Sequence, residues 1–563
     1  MKQLIECVPN FSEGRDMTVI KQITDVIEAV EGVKLLDVDP GKATNRTVVT
    51  FVGEPPAVVE AAFRAIQKAC EVIDMSKHSG EHPRMGATDV CPLIPVAHIS
   101  MEETADWARK LGERAGRELS LPVYLYEAAA GRPERQNLAV IRAGEYEGLP
   151  EKLNDPEWKP DFGPATFQPK SGATVIGARD FLIAYNVNLN TTSVRRANSV
   201  AFDVREKGRV VTDPATGKPK KTADGEEVRQ PGTLKGVKAI GWYIDEYGVA
   251  QISMNITDIR ATPLHIAFEE CCKSADRRGM RVTGSELVGL VPLHVMLEAG
   301  RYFLRKQQRS AGVSESELIK IAVKSMGLDE LAPFDPQRKI IEYNIDAGDP
   351  ALQKLLIKKD LVAFADETAS ESPAPGGGSI SAYVGALGAA LAAMVANLSS
   401  HKRGWDDRWE EFSAAAEQAQ ALKDALLRAV DEDTDAFKTI MAAFGLPNST
   451  PEEKTARKAA IQAATKQAIE VPLKVMKYAG ESLPLIRQMA EKGNPNSVSD
   501  AGVGALCART AVQGAFLNVK TNVSGLDDKT YAEKAVAEAE KIMQTAFEAE
   551  KEILTIVHSK IGG

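Results

Sequence analysis

The sequence predicts a multidomain fold, with two α/β units followed by an all-α helical bundle. Three observations carry this reading. Strand-like and helix-like periods alternate from Met1 to about Asn344, composition changes near "NIDAGDP" (344–350), and beyond "SPAPGGGS" the chain is rich in Ala, Lys and Glu with an apolar period near 3.6. A length of 563 residues fits about three or four domains.

In chain order, "QLIECVPNF", "VKLLDVDP", "NRTVVTFVG", "DVCPLIPVAHI" and "PVYLYEAAA" are short, β-branched or aromatic, and end in turn residues, so each predicts a strand. Between them, "DMTVIKQITDVIEAV" and "PAVVEAAFRAIQKACEVI" repeat apolar residues at spacings of three and four and predict helices. A second such unit follows. "GVKAIGWYIDEYGVAQISMNITDI" predicts a hairpin in which Ile240, Trp242 and Ile244 share one face and Ala250, Ile252, Met254 and Ile256 answer across the turn "DEYG". "PLHIAFEECCKSADRRG" predicts a helix with a glycine stop. The parse is 1–180 and 181–344 for two α/β subdomains, expected to be ferredoxin-like with mixed sheets, 345–352 for a linker and 353–563 for the bundle. Beyond "SPAPGGGS", prolines fall only at 447, 451, 472, 484 and 495, and the long intervals between them are helix-length. The run "DPATGKPKKTADGEEVRQPG" (213–232) reads as an exposed, mobile loop.

Net charge is -9 with no block of Lys and Arg, which argues against a nucleic-acid partner, because neutralising phosphates needs a clustered basic face. A small anionic substrate needs only a local positive pocket. The six cysteines include no C-x-x-C pair, as expected for reduced thiols in a cytoplasmic protein. No secretory h-region opens the chain, since "MKQLIECVPNFSEGRD" is interrupted early by polar residues. The most apolar helix candidate, Ser379–Ser400, is dominated by Ala and Gly and is expected to be a close-packed bundle helix with no membrane span.

"DMSKHSGEHPRMGATDV" concentrates Lys77, His78, Glu81, His82 and Arg84. His78 and His82 have the i, i+4 spacing of a helical zinc pair, but Gly80 and Pro83 oppose a continuous helix there, and no metal is expected. A polar loop feeding the next strand and a catalytic loop that moves a proton and holds an anion both fit these residues.

Helical geometry singles out one acid. In "ALLRAVDEDTDAFKTIMAAFG", Leu426, Leu427, Val430, Phe437, Ile440, Met441 and Phe444 form a stripe, and Asp433 falls inside it while Asp431 and Asp435 lean to solvent. A carboxylate on an apolar bundle face is costly unless paired, so a raised pKa and an acid–base role are expected. In "SDAGVGALCARTAVQGAFLNVKTN", Asp500, Gly504, Ala508, Ala511, Ala515, Asn518 and Asn522 share a face, with small residues leaving room for a ligand or a neighbouring helix between polar ends. N-capping by Asp500 and inter-helix hydrogen bonds from the asparagines are the alternatives. "APGGGS" opens a helix whose free N–H groups suit an anion, but lacks G-K-[ST], so no nucleotide is expected.

"ECVPNFSEG", "LLDVD", "NRTV", "GEHPRMGATDVCPLIPV", "IRAGEYEGLP", "PDFGP" and "GSELVGLVP" resemble the formimidoyltransferase family, and "APGGGS" with "VDEDTDAF" resembles cyclodeaminase. Over nearly its whole length the chain is similar to the bifunctional formimidoyltransferase-cyclodeaminase family. The resemblance implies transfer of a formimidoyl group from N-formimidoyl-L-glutamate to tetrahydrofolate, then ring closure with loss of ammonia, in histidine degradation. It places the transferase's catalytic histidine on His82, with His78 the weaker candidate, and the cyclodeaminase's catalytic aspartate on Asp433. Asp39 is the expected carboxylate partner of the histidine, and Arg84 a holder of a substrate carboxylate. Asp500, Asn518 and Asn522 are weaker substrate-binding candidates. The family's folate-binding segment falls on Gly163, Pro164, Ala165, Thr166, Phe167, Gln168, Pro169, Lys170, Ser171 and Gly172. Tetrahydrofolate, polyglutamylated, is the implied one-carbon acceptor, and a homo-octamer the implied assembly. The competing reading keeps only the transferase active, with the helical part an oligomerisation or scaffold module.

Overall fold

A computed structural model describes residues 3–42, 44–80, 83–214, 216–222, 224–347, 352 and 354–561. By compactness the chain forms two units, Met1–Met296 with Val323–Ala347, and Leu297–Ala322 with Gly348–Gly563.

The first unit holds two sheets wound alike. In the first, β1 (Leu4–Cys7) and β2 (Asn10–Phe11) run in line with Pro9 between them, which has no N–H to donate. Both pair antiparallel with β4 (Arg46–Gly53) on one side and β5 (Thr88–Ala97) on the other. β3 (Val33–Gly41) extends the sheet beyond β4. β6 (Val123–Glu127) and β7 (Thr174–Ala178) continue it past β5 in parallel, so this sheet is mixed. Helices α1 (Met17–Glu28), α2 (Pro55–Val72) and α3 (Met101–Glu118) cover one face over a core that includes Ile5, Phe51, Ile27, Ile66 and Leu111. α1 begins where Asp16 accepts from Thr18 N–H, and α3 where Ser100 and Glu103 close a capping box.

The second sheet has the spatial order β11–β12–β8–β13, from β8 (Ile183–Leu189), β11 (Val237–Ile244), β12 (Val249–Ile256) and β13 (Val282–Val288). α4 (Val194–Val204) and α5 (Leu264–Asp276) complete the chain order β-α-β-β-α-β. The same order in chain and space describes β1/β2, α1, β3, β4, α2 and β5. The second sheet differs from the mixed pairing expected of it, because all its neighbours are antiparallel. The hairpin forms in the predicted place, but its faces are exchanged on β11. Ile240 is 52% exposed, whereas Val237 and Ala239 are buried with Ile252, Met254 and Ile256. α4 lies so close that a Cβ on Gly241 would overlap Asn198 and Ala197, so the inner face takes the small residues. The described residues of the 213–232 run are mostly exposed but hydrogen-bonded, with Val228 N–H donating to Lys220 O at 2.9 Å and Lys220 N–H to Val211 O at 2.8 Å. At its base β9 (Arg209–Val210) pairs with β10 (Arg229–Gln230).

The second unit is helical. Its long helices are α6 (Gly377–Ser400), α7 (Trp409–Phe444), α8 (Pro451–Lys492), α9 (Val498–Val523) and α10 (Lys529–Ile561). α6 is long and apolar enough to cross a membrane by length and composition, with mean hydropathy 1.7, yet 61% of that window is buried. Its Gly385 lies against Leu426 of α7 and Ala511 of α9, and its Gly388 against Gly504 and Ala508 of α9. Prolines 472 and 484 do not end helices as their spacing suggested: both lie inside the 42-residue α8. Val471, Leu473, Leu483 and Ile486 are buried beside them, and that packing outweighs the interior cost of about 3 kcal/mol per proline. The predicted stripe on α7 holds through Leu426 and Val430 but ends early, with Met441 54% and Phe444 50% exposed. The segment from Leu297 to Ala322 belongs to this unit, where Ala311 N–H donates to Ser413 Oγ (3.0 Å) and Asn397 Nδ2 to Gly312 O (2.8 Å).

Candidate functional sites

In the first unit, the loop after α2 folds onto the turn between β3 and β4. Gly80 sits so close to Thr44 O that a Cβ there would overlap it. His78 follows a short 3-10 turn (Met75–Lys77) capped by Asp74. Its Nε2 lies 2.9 Å from Asn45 O, and its Nδ1 accepts from Arg84 Nε at 3.3 Å, a pattern that fits the Nε2–H tautomer. Arg84 also forms a fork on Glu147, at 2.8 and 2.7 Å, and reaches Glu145 at 3.2 Å. These side chains, with Ser79, Gly80 and Gly144, line a cavity of 460 Å³. Glu81 and His82 lie outside the described residues.

The predicted folate segment lies against this loop. Met75 N–H donates to Lys170 O (2.9 Å), and Ala87 N–H to Ser171 O (2.9 Å). Tyr146, between the two glutamates that hold Arg84, donates to Pro169 O at 2.6 Å and sets its ring 5.5 Å from that of Phe167. Lys170 donates to Glu71 O at 2.6 Å. The histidine loop, Arg84 and the 163–172 segment are therefore neighbours. Asp39 is half-buried near the end of β3. Burial and the adjacent Asp37 raise its pKa, and Lys339 opposes them. Arg84, read as a receiver of substrate carboxylate, already carries two carboxylates of its own chain.

Two features escaped the sequence reading. Asp89 is fully buried and accepts from Arg46 and from Arg142 (Nε at 3.1 Å) and Met85 N–H (3.1 Å). Glu6 is also buried, and that burial pushes its carboxyl up to about 7. Glu6 opens "ECVPNF" and Arg46 lies in "NRTV", whereas Asp89 in "GATDV" carries no local mark of its burial.

In the second unit, Asp433 on α7 meets the glycine-rich start of α6. Ser379 Oγ donates to Asp433 Oδ2 at 3.0 Å, and Ser379 N–H also reaches the carboxylate. Gly378 leaves the room this needs, for a Cβ there would stand 2.6 Å from Oδ2 and 2.5 Å from Cγ. Burial raises the Asp433 pKa against the lowering by Ser379, as its place on the stripe led one to expect. Asn518 approaches from α9: a Cβ on Gly377 would lie 3.6 Å from its Nδ2, which donates to Gly514 O at 2.9 Å. Asn522, one turn on, donates to Ala468 O at 2.7 Å, an inter-helix bond. Asp500 sits in the first turn of α9, about 27 Å along the helix from Asn518, so the fold does not bring it to Asp433. Asp431 does not lean freely to solvent, since it accepts from Leu356 N–H at 2.6 Å. Among the described residues, no group of three His, Cys, Asp or Glu is placed to hold a metal ion.

Family models match in the same order as these two sites: "Formiminotransferase domain, N-terminal subdomain" over 4–179, "Formiminotransferase domain" over 184–346 and "Formiminotransferase-cyclodeaminase" over 360–541. A formimidoyltransferase-cyclodeaminase of Mus musculus is 45% identical over 546 residues, which is 97% of each chain. The chain belongs to the formiminotransferase-cyclodeaminase family. Each half also has a separate relative. A glutamate formimidoyltransferase of Thermoplasma acidophilum is 44% identical over 304 residues (54% of this chain, 92% of that one). A methenyltetrahydrofolate cyclohydrolase of Methylorubrum extorquens is 40% identical over 198 residues (35% of this chain, 95% of that one). The resemblance read from the motifs is thereby confirmed for the whole chain.

Proposed function

We propose that the chain catalyses two consecutive one-carbon steps on tetrahydrofolate. In the first, N5 attacks the formimidoyl carbon of N-formimidoyl-L-glutamate, N5 loses a proton, and the glutamate nitrogen gains one and leaves. In the second, N10 closes onto that carbon and ammonia departs, leaving 5,10-methenyltetrahydrofolate. The observation that carries this is the unbroken similarity to bifunctional relatives across both halves.

His82 is the proton carrier of the first step, oriented by Asp39. A single imidazole suffices, because it takes the N5 proton and returns one to the leaving nitrogen. The 163–172 segment holds the folate, with Phe167 against a ring. Arg84 takes the substrate carboxylate once Glu147 yields its place. Asp433 is the acid of the second step. Its burial favours the protonated form, which the departing nitrogen needs, and Ser379 and Asn518 fix substrate and acid at the helix start. The winding of the second sheet supports a ferredoxin-like reading of that subdomain. Polyglutamylated folate as the preferred form, a homo-octamer, a cytoplasmic setting and a place in histidine breakdown complete the proposal.

The test is a spectroscopic assay for methenyl product from formimidoylglutamate and tetrahydrofolate, with ammonia measured alongside. One ammonia per methenyl is expected. Glutamate release without either product would leave only the transferase. A relative of the helical part carries a cyclohydrolase name, so methenyltetrahydrofolate is also offered as starting material. Its enzyme-dependent decay would assign hydrolysis to Asp433 instead.

A further inference from the structure

A second cavity, of 330 Å³, lies beside the second sheet and uses none of the residues assigned above. Its charged lining consists of Asp203 at the end of α4, Arg209 on β9, and Arg277 and Arg278 just after α5; Phe202, Gln230, Pro231 and Thr233 complete it. Three guanidiniums thus face one carboxylate. Arg209 and Arg278 bond to Asp203, with Arg278 at 2.5 Å and Ser274 Oγ adding 2.7 Å. Arg277 stands 3.8 Å from the same carboxylate, beyond hydrogen-bond distance, and is 58% exposed. The nearby Glu270 accepts from Lys273 at 2.8 Å and from Thr233, and it also feels the charge of Arg277; counted together, Glu270 and Lys273 cancel and leave the excess as it stands. Burial first, and the adjacent guanidinium second, hold both Arg209 and Arg278 below the ordinary arginine value. The cavity exists because the 209–232 excursion folds back: a Cβ on Gly208 would overlap Gln230 O, and one on Gly232 would overlap Arg205 O.

We propose that this cavity binds a phosphoryl dianion, either free phosphate or the phosphate of a small organic ester. The local excess is two positive charges, guanidinium forks match phosphate oxygens, and the volume left beside Phe202 and Pro231 admits an organic group of modest size. Asp203 holds the arginines in place and competes for them.

The test uses the full chain with inorganic phosphate and phenyl phosphate as probes, titrated calorimetrically at constant ionic strength against chloride. Arg277→Gln, at an exposed position, is expected to weaken both about tenfold or more, the loss of one charge-assisted contact. Asp203→Asn is expected to tighten them. Tighter binding of phenyl phosphate identifies the ester as the ligand, and equal affinities identify free phosphate. Parental affinity in Arg277→Gln, or no binding of either probe, overturns the proposal.

Discussion

Gly378→Ala tests the cyclodeaminase assignment through a single methyl group. The helical backbone accepts alanine at least as well as glycine, a gain of about 0.5–1 kcal/mol in helix preference. The new Cβ, however, would stand 2.5 Å from Asp433 Cγ and 2.6 Å from Oδ2. The backbone of α6 is pinned in the bundle, so the carboxyl must move. Restoring ordinary van der Waals contact displaces it by about 1 Å, a shift that costs a positioned catalytic group about 100-fold. It also breaks the 3.0 Å bond from Ser379 Oγ, worth about 0.5–1.5 kcal/mol to the neutral acid. The two stability effects oppose each other, so the melting temperature should fall by only a few degrees. Ring closure should fall about 100-fold while transfer proceeds at the parental rate. Rates are read from methenyl formation, starting once from formimidoylglutamate and once from 5-formimidoyltetrahydrofolate. Parental ring closure in a folded Gly378→Ala enzyme would refute the placement of Asp433 at the reacting nitrogen.

His82→Ala should abolish transfer and spare ring closure, while Asp433→Ala should do the reverse and let 5-formimidoyltetrahydrofolate accumulate; single-turnover product analysis separates the two. Glu6 keeps its proton in the folded chain up to about 7, against an ordinary 4.5. Its contribution to stability is therefore full below pH 4.5 and is lost as pH rises through 7, about 3 kcal/mol in all. Glu6→Gln should accordingly raise the urea midpoint for loss of transferase activity at pH 8 and leave it unchanged at pH 4.5; equal effects at both would show that the carboxyl is not desolvated. Asp89→Ala strands the Arg46 and Arg142 guanidiniums and should cost about 3–5 kcal/mol in denaturant unfolding, and a loss under 1 kcal/mol would contradict that pairing.

Periodicity was the most legible property of the sequence. The alternation in "LIEC" and "RTVVTFVG" and the 3.6 repeat around Asp433 depend on which side of one element meets the core, and that is written locally. The place of Asp433 could be read because α7 buries Val430 before it and Ala436 after it. What failed depended on a neighbour elsewhere in the chain. Ile240 looked like a core residue until α4, some forty residues earlier, came to rest on Ala239 and Gly241. Pro472 and Pro484 looked like breaks because a helix judged alone bears their full cost, while one held by four others does not. The Arg46–Asp89–Arg142 cluster joins positions up to 96 apart, and no spacing rule reaches that far. Arg84 was legible as a carboxylate receptor by type, but its present occupants, Glu145 and Glu147, were visible only once Gly144 had turned the chain back.

The repeated winding of the two sheets has a practical consequence for dissecting the first unit. Leu36 and Val52 of the first sheet are covered by Ile341, with Val96, Phe181, Leu290 and Ile345 around them, so a patch contributed by the first 100 residues is roofed by residues after 180. A fragment ending at residue 180 would keep every strand and helix of its own sheet, yet lay that greasy patch open to water. Such a truncation should be recovered as aggregates, and co-expression with the missing stretch, 181–347, should bring it back into solution.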